Sequence, residues 1–297
     1  MNKEEASAYT NELNDRRSRF LISDRGVLNR QPEFVALKEL IEKSGETISD
    51  VANFKVIQLE SSDFNSVQFS IGLALLANYF FKTDMGISGV SITESHHGKI
   101  SFGIQKDEIT SFMAEKQLPY SSGRNIYYID IVGVDPWREG SGIGRALLRP
   151  PLEKFLKATG VETTIVSRTQ NPMLVSALKS SLPDGLQLFP FYGKETKEWV
   201  DAVNWLVHSG QISRNNRSDT RFDATESLIS WGAYGRYGDG TTWENMIGKY
   251  EIDWNRDAGN RIKNYLEKYG TSLSEMLFRG HALMIGAYIK KNNSLKT

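Results

Sequence analysis

The chain has no cysteine among its 297 residues. That excludes a disulfide framework, a thiolate nucleophile and any metal site held by cysteine, and it fits a reducing compartment. Nor is there a surplus of charge: 36 Lys plus Arg balance 36 Asp plus Glu. No global field is available to hold nucleic acid or an anionic membrane. Long apolar runs are missing too. The most apolar stretch, residues 69–81, is shorter than the roughly 18 residues a membrane span needs. Residues 1–30 alternate charges and lack the apolar core of a signal peptide. Histidine is scarce, with His96 and His97 adjacent in an expected turn and His208 and His281 isolated. No metal site is expected from them. There is no internal repeat. These absences give a soluble, cytoplasmic protein without a metal, nucleic-acid or membrane partner as the expectation.

What the chain does contain is ordinary for a globular protein, with 39% hydrophobic and 24% charged residues and enough length for a substantial core. Apolar periodicity and turn residues predict helices over 33–43 and 64–81, with a strand over 54–59 between them. Residues 87–93 and 99–105 read as a hairpin joined through Glu94 to Gly98. A strand is expected over 125–134 and a helix over 143–157. Pro150-Pro151 removes two N–H donors from that helix, which predicts a kink or a restart. Further strands are expected over 161–167, 186–191, 228–237 and 282–289. Helices are expected over 172–180, over 195–207 and within 242–277, and a polar exposed loop over 209–223.

One segment stands apart: Val134-Asp135-Pro136-Trp137-Arg138-Glu139-Gly140-Ser141-Gly142-Ile143-Gly144-Arg145. It is a glycine-rich turn between a strand and a helix. Such a turn gathers backbone N–H groups and the positive end of a helix dipole around one point, which suits a phosphate or pyrophosphate. Two familiar nucleotide motifs do not fit. A Rossmann site wants its glycines after the first strand and an acidic residue closing a strand about 20 residues on. Here several strands precede the turn, and Glu162 stands before a strand. A P-loop wants Lys-Ser/Thr after its second glycine, where this chain has Arg145-Ala146.

The order strand, Val-x-Pro, glycine turn, helix, strand, Asn-containing helix resembles the GCN5-related N-acetyltransferase (GNAT) superfamily over about residues 54–193. The resemblance rests on Val134-Asp135-Pro136, on Glu139 through Gly144 with Leu147-Leu148, and on Arg168-Thr169-Gln170-Asn171-Pro172. It implies a mixed α/β fold with a mostly antiparallel central sheet flanked by helices. An N-terminal helical extension (1–45) would precede a catalytic domain (46–297), with a helical insertion at about 242–278 before the last strand. It also implies that acetyl-coenzyme A, or another acyl-coenzyme A, is the co-substrate. Glu139, Gly140, Ser141, Gly142, Ile143, Gly144 and Arg145 would cradle its pyrophosphate, Asn171 would help position it, and backbone at Val132 and Val134 would polarise the thioester carbonyl. Two departures are visible. Glu139 stands where the family has Arg or Gln, a carboxylate beside a pyrophosphate, so that either it turns to solvent or Arg138 and Arg145 offset it. Leu178 stands where the family often has its acidic tyrosine.

The family reaction, attack of an amine on a thioester, needs a group to take the amine's proton. Tyr128, Asp130, Val132 and Val134 share one face of their strand by the two-residue period. Asp130 is the first candidate for the base, Tyr128 the second, and Tyr192 a candidate for the missing acid. The expected function is acyl transfer, foremost acetyl transfer to a small-molecule amine rather than to a protein. The rivals are a non-catalytic acyl-coenzyme A binder and an enzyme of this fold that decarboxylates malonyl-coenzyme A or transfers a longer chain. The segment Trp231 to Tyr237 alternates glycine and aromatics and is a candidate acceptor pocket or a packed edge strand.

Overall fold

The computed structural model describes residues 24–60, 63, 67–81, 98–121, 123–212, 222–230, 251–279 and 281–290. The expected strand over 87–93 with its turn histidines, the aromatic segment 231–237 and most of the polar loop 209–223 lie outside them. Among the described residues eight strands form one sheet: β1 (Glu46–Val51), β2 (Phe54–Glu60), β3 (Gly98–Gln105), β4 (Glu108–Ser121), β5 (Arg124–Val134), β6 (Glu162–Thr169), β7 (Ile229–Ser230) and β8 (Ala282–Ile289), in the order 1-2-3-4-5-6-8-7. The pairs β1–β2, β2–β3, β6–β8 and β7–β8 are antiparallel, and β5–β6 is parallel. This is the mixed, mostly antiparallel sheet that the resemblance implied.

Chain contacts divide the molecule into two compact units. The first holds residues up to Glu115 together with Ile131–Pro151, and the second holds Lys116–Asp130 with everything from Leu152 onward. In the first unit, a short helix α1 (Arg25–Leu28) precedes α2 (Pro32–Ser44), which starts on Pro32, a residue with no N–H to lose. Phe34, Leu37 and Ile41 recur on one face of α2 and are buried. They join Leu73, Leu76 and Phe80 of α3 (Val67–Phe81) and Leu59, Ile100, Phe102 and Phe112 of the sheet in one core. Full burial of each such side chain contributes roughly 1.5–3 kcal/mol. The two helices touch closely at Gly72, where a Cβ would lie 2.4 Å from the Glu33 carbonyl oxygen. The hairpins β1–β2 and β3–β4 turn on two residues each, Ala52-Asn53 and Lys106-Asp107, all four in the left-handed region with φ between 50° and 65°.

In the second unit, one apolar cluster gathers Leu118, Ile126, Tyr128, Val166 and Met284 of the sheet against α6 (Lys197–His208). Trp199, Val203 and Leu206 supply the helix side, and the Trp199 indole N–H donates to the Ile165 carbonyl at 3.0 Å. The unit also contains α5 (Pro172–Ser181), α7 (Glu251–Trp254), α8 (Asp257–Lys268) and α9 (Leu273–Phe278).

Two expectations change. The helix after the glycine turn, α4 (Ile143–Thr159), runs unbroken through Pro150 and Pro151. Leu147, Leu148, Leu152 and Phe155 are buried along it, so packing on either side of the prolines holds the helix against their two missing donors. Residues 186–191 are not a strand. Only Phe189 pairs, exchanging backbone hydrogen bonds of 2.7 and 3.2 Å with Gly286, and Pro190 has no N–H with which to extend a ladder. Of the strand expected over 228–237 the described residues reach only to Ser230, and Ile229–Ser230 are in it. Two strands are additional, β1 and the 14-residue β4. Among the described residues no helix is long and apolar enough to cross a membrane, and no cluster of His, Asp or Glu could hold a metal ion.

Candidate active site

The glycine turn belongs to the first unit and is braced from its ends. Asp135 is buried, 4% exposed, and its Oδ1 accepts from the Trp137 amide at 3.1 Å, capping the short 3-10 turn Pro136–Arg138. Its own amide donates to the Thr110 carbonyl at 2.8 Å, and its Oδ2 lies 3.5 Å from Arg25, which also donates to the Ile109 carbonyl at 2.6 Å. Burial, with the Asp135 charge second, raises the hydroxyl pKa of Tyr79, whose ring lies under Arg25 at 5.4 Å. The Arg138 guanidinium reaches Gln105 and donates to Glu108 at 2.9 Å. Arg138 is thus tied to the β3–β4 hairpin. Arg145 is exposed and Glu139 half-buried.

Past the brace, Gly140 has φ 79° and Gly142 φ 85°, and a Cβ at either would meet nothing within 4 Å. Glycine is needed there for the left-handed backbone and leaves the approach to the turn open. The Gly142 carbonyl accepts from Ala146 at 3.0 Å, so α4 begins here. A helix has no internal acceptor for its first-turn amides, which in α4 belong to Ile143 and Gly144. Those amides and the helix dipole favour an anion at this end. Ser141 turns its hydroxyl back onto the Arg138 carbonyl and closes the turn.

Strand β5 pairs with β6 from Arg124↔Glu162 to Ile129↔Ser167 and no further, although β5 continues to Val134 and β6 to Thr169. Val132 and Val134, the residues expected at the thioester carbonyl, follow the end of that ladder. Between them, Gly133 is fixed by crowding, since a Cβ would lie 2.5 Å from the Phe112 ring.

In the second unit the structure brings Tyr128 and Asp130 together. The Tyr128 side chain is fully buried, and its hydroxyl donates to Asp130 Oδ1 at 3.2 Å. Lys116, on β4, was not picked out from the sequence. It is 9% exposed, donates to the Gln211 carbonyl at 3.0 Å, and feels both Asp130 and Arg168. Burial pulls its pKa below the ordinary lysine range, Asp130 acts to raise it and Arg168 to lower it. Asn171 caps α5: its Oδ1 accepts from the Met173 amide at 2.8 Å, and its own amide donates to Thr169 Oγ1 at 2.8 Å. A role toward a ligand would have to pass through its Nδ2. Tyr192 has partners of its own. Its hydroxyl donates to Asp257 at 2.7 Å, and its ring lies between the Lys179 ammonium at 3.7 Å and the Arg261 guanidinium at 4.4 Å. Burial, then the bond to Asp257, pushes its pKa up to about 12.

No protein-family model matches the chain, and no curated protein matches it. Solved structures do align with parts of it. A ribosomal-protein-alanine N-acetyltransferase from Brucella melitensis biovar Abortus 2308 aligns over 38% of this chain and 79% of its own, at 15% identity and a TM-score of 0.31. An aminoglycoside acetyltransferase from an uncultured soil metagenomic sample aligns over 49% and 99%, at 16% identity and a TM-score of 0.35. A GNAT-family acetyltransferase from Streptococcus pneumoniae aligns over 48% and 93%, at 14% identity and a TM-score of 0.29. Likenesses of this extent name no substrate for the chain.

Proposed function

We propose that the protein is an acyl-coenzyme A-dependent N-acyltransferase of the GNAT kind, with acetyl-coenzyme A as the first choice of donor. The observation that carries the reading is the turn itself. Two glycines held at positive φ lead from β5 into α4, with the amides of Ile143 and Gly144 in its first turn. That shape suits a pyrophosphate. The Val-x-Pro before the turn and Asn171 after the next strand match the motifs from which the GNAT resemblance was drawn. Glu139 contributes its backbone N–H to the cradle, together with Gly140, Ser141, Gly142 and Arg145, while its carboxylate faces away from the phosphates. Backbone at Val132 and Val134 polarises the thioester carbonyl.

Asp130 is the base. Tyr128 orients it through Oδ1, and Oδ2 takes the proton from the amine as nitrogen attacks the thioester carbon. The C–N bond forms, the C–S bond breaks, and the coenzyme A thiolate leaves to be protonated by solvent. Tyr192 is a poor acid for that step, because a proton held at about 12 moves uphill to a thiolate. The acceptor is an amine, a small molecule before a peptide.

Titration calorimetry with acetyl-coenzyme A and desulfo-coenzyme A tests donor binding, and thiol release across a panel of amines and amino-terminal peptides tests turnover. Micromolar binding with amine-dependent thiol release is expected. If no coenzyme A species binds below millimolar, the reading is wrong. Binding without thiol release from any acceptor would leave the protein a coenzyme A-binding module.

A further inference from the structure

Large apolar side chains are common singly on a protein surface, and most call for no explanation. Among the described residues four stand exposed: Val27, Val35, Val51 and Trp137. The three valines offer little area, on α1, on α2 and on the edge strand β1. Trp137 differs in size, in place and in how it is held. Its indole is 79% exposed, and it sits on the short turn Pro136–Arg138, in the first unit and next to the glycine cradle. The backbone beneath it is clamped. Asp135 Oδ1 accepts from the amide of Trp137 itself at 3.1 Å, and the next residue, Arg138, is fastened to Gln105 and Glu108. The Arg138 carbonyl in turn accepts from the Ser141 amide at 3.3 Å and from the Ser141 hydroxyl. These bonds fold Gly140 and Ser141 back against the turn that carries Trp137. The indole therefore stands at the rim of the cradle, on a backbone held at both ends.

The cradle beside it indicates the occupant. A pyrophosphate seated at the amides of Ile143 and Gly144 carries a substituent on each phosphate. In an acyl-coenzyme A one substituent is the acyl-pantetheine arm, which is flexible and has no ring. The other is a nucleoside ending in adenine, whose flat π-face matches the face of an indole. We propose that Trp137 is the platform on which the adenine of the acyl-coenzyme A stacks, and so the residue that selects the nucleotide end of the donor. The identity of the donor rests on the acyl-transfer reading above. The setting makes such a contact productive. Because the backbone is already fixed, only the two side-chain torsions of the indole are ordered when the base arrives. Stacking also covers apolar area that otherwise stays in water.

The test sets two donors against each other on the full-length protein: acetyl-coenzyme A, and acetyl-phosphopantetheine, which keeps the thioester and the arm but lacks the nucleoside. Calorimetry measures both with the wild type, Trp137→Leu and Trp137→Phe. Leucine keeps apolar bulk and loses the π-face. Trp137→Leu is expected to weaken acetyl-coenzyme A by about tenfold and acetyl-phosphopantetheine by less than about twofold, and Trp137→Phe to recover most of the difference. Thermal unfolding should hardly move in either variant, since the side chain is exposed. A second readout is etheno-coenzyme A, whose adenine is fluorescent. Its emission should be quenched on the wild type and stay bright on saturated Trp137→Leu. This readout stands alone should acetyl-phosphopantetheine bind too weakly to titrate. Equal losses on the two donors, or no loss and no change in quenching, would overturn the stacking role and leave acyl transfer standing. So would a Trp137→Leu that sediments differently with donor affinity intact, since the indole would then be a contact between proteins. A wild type that binds no coenzyme A species would overturn the donor reading itself.

Discussion

Two aspartates five positions apart on one stretch of chain have opposite surroundings. Asp135, in the first unit, is 4% exposed and has both oxygens and its amide engaged, by Trp137, Arg25 and the Thr110 carbonyl. Asp130, in the second unit, has one oxygen accepting from Tyr128, and among the described residues no hydrogen bond reaches the other. A buried carboxylate with both oxygens engaged serves to hold structure. One left partly unsatisfied beside fixed neighbours is positioned to exchange a proton. The difference separates the residue that shapes the turn from the residue proposed to do chemistry, although both are acidic and both adjoin the same strand.

The sharpest way to break this contrast is to neutralise Asp130. Asp130→Asn should lower thiol release by roughly 10²–10⁴-fold while leaving thermal unfolding and donor affinity near wild type. An unchanged rate would remove Asp130 from the mechanism. Truncating its counterpart should do the reverse. Asp135→Ala removes the carboxylate paired with Arg25 and uncaps the turn after it, and should cost roughly 3 kcal/mol in denaturant unfolding. Donor affinity should weaken with it, because the turn loses its shape. If Asp135→Ala kept full stability, the division between the two residues would collapse.

A smaller effect is expected at Gly142. Valine there forces a β-branched residue into the left-handed region, for about 1–2 kcal/mol of stability and weaker donor binding. Since nothing crowds that position, a variant with unaltered affinity would mean that the turn does not hold the ligand.

The smallest lies at the end of β5 where Arg124 pairs with Glu162. Glu162 accepts from Tyr288 and Arg124, both at 2.8 Å, and the Tyr288 bond first, then Arg124, holds its pKa below the usual carboxylate range. A carboxylate with a lowered folded-state pKa adds stability above its unfolded value and loses it as pH falls through the folded one. The melting temperature of the wild type should therefore fall slightly more than that of Glu162→Gln on acidification below about pH 4. Parallel pH curves would show that this exposed pair contributes nothing measurable.

Most of the elements around the turn were legible because their signals are local. The β-branched run of β5, the glycines and the amphipathic start of α4 each declare themselves within a few residues. Strand β4 did not. Its buried residues include Thr110, Ser111, Glu115 and Lys116, and the last two have partners far along the chain: Gln58 donates to Glu115 at 3.2 Å, and Lys116 to the Gln211 carbonyl at 3.0 Å. A polar residue paired at that distance reads as surface in sequence. The same reason hid Lys116 from the candidate site, whereas Tyr128 and Asp130, two apart on one face, could be paired from strand period alone. Tyr192 was chosen for its type, and its commitment to Asp257 came from a helix 65 positions away. The tight turns Ala52-Asn53 and Lys106-Asp107 carry none of the glycine that usually marks such bends, so β1 and the hairpin into β4 went unannounced.

The tie between Arg138 and the β3–β4 hairpin has a thermodynamic consequence. A glycine-rich segment left to itself would sample many shapes, and a ligand would have to select one of them at an entropic penalty. Held at Asp135 on one side and at Gln105 and Glu108 on the other, the turn has one braced shape once the chain has folded, the shape proposed to take the donor. Donor capture should then be a rigid-body encounter, and loosening the hairpin, by Glu108→Ala for example, should appear as a less favourable binding entropy before any contact to the ligand is lost.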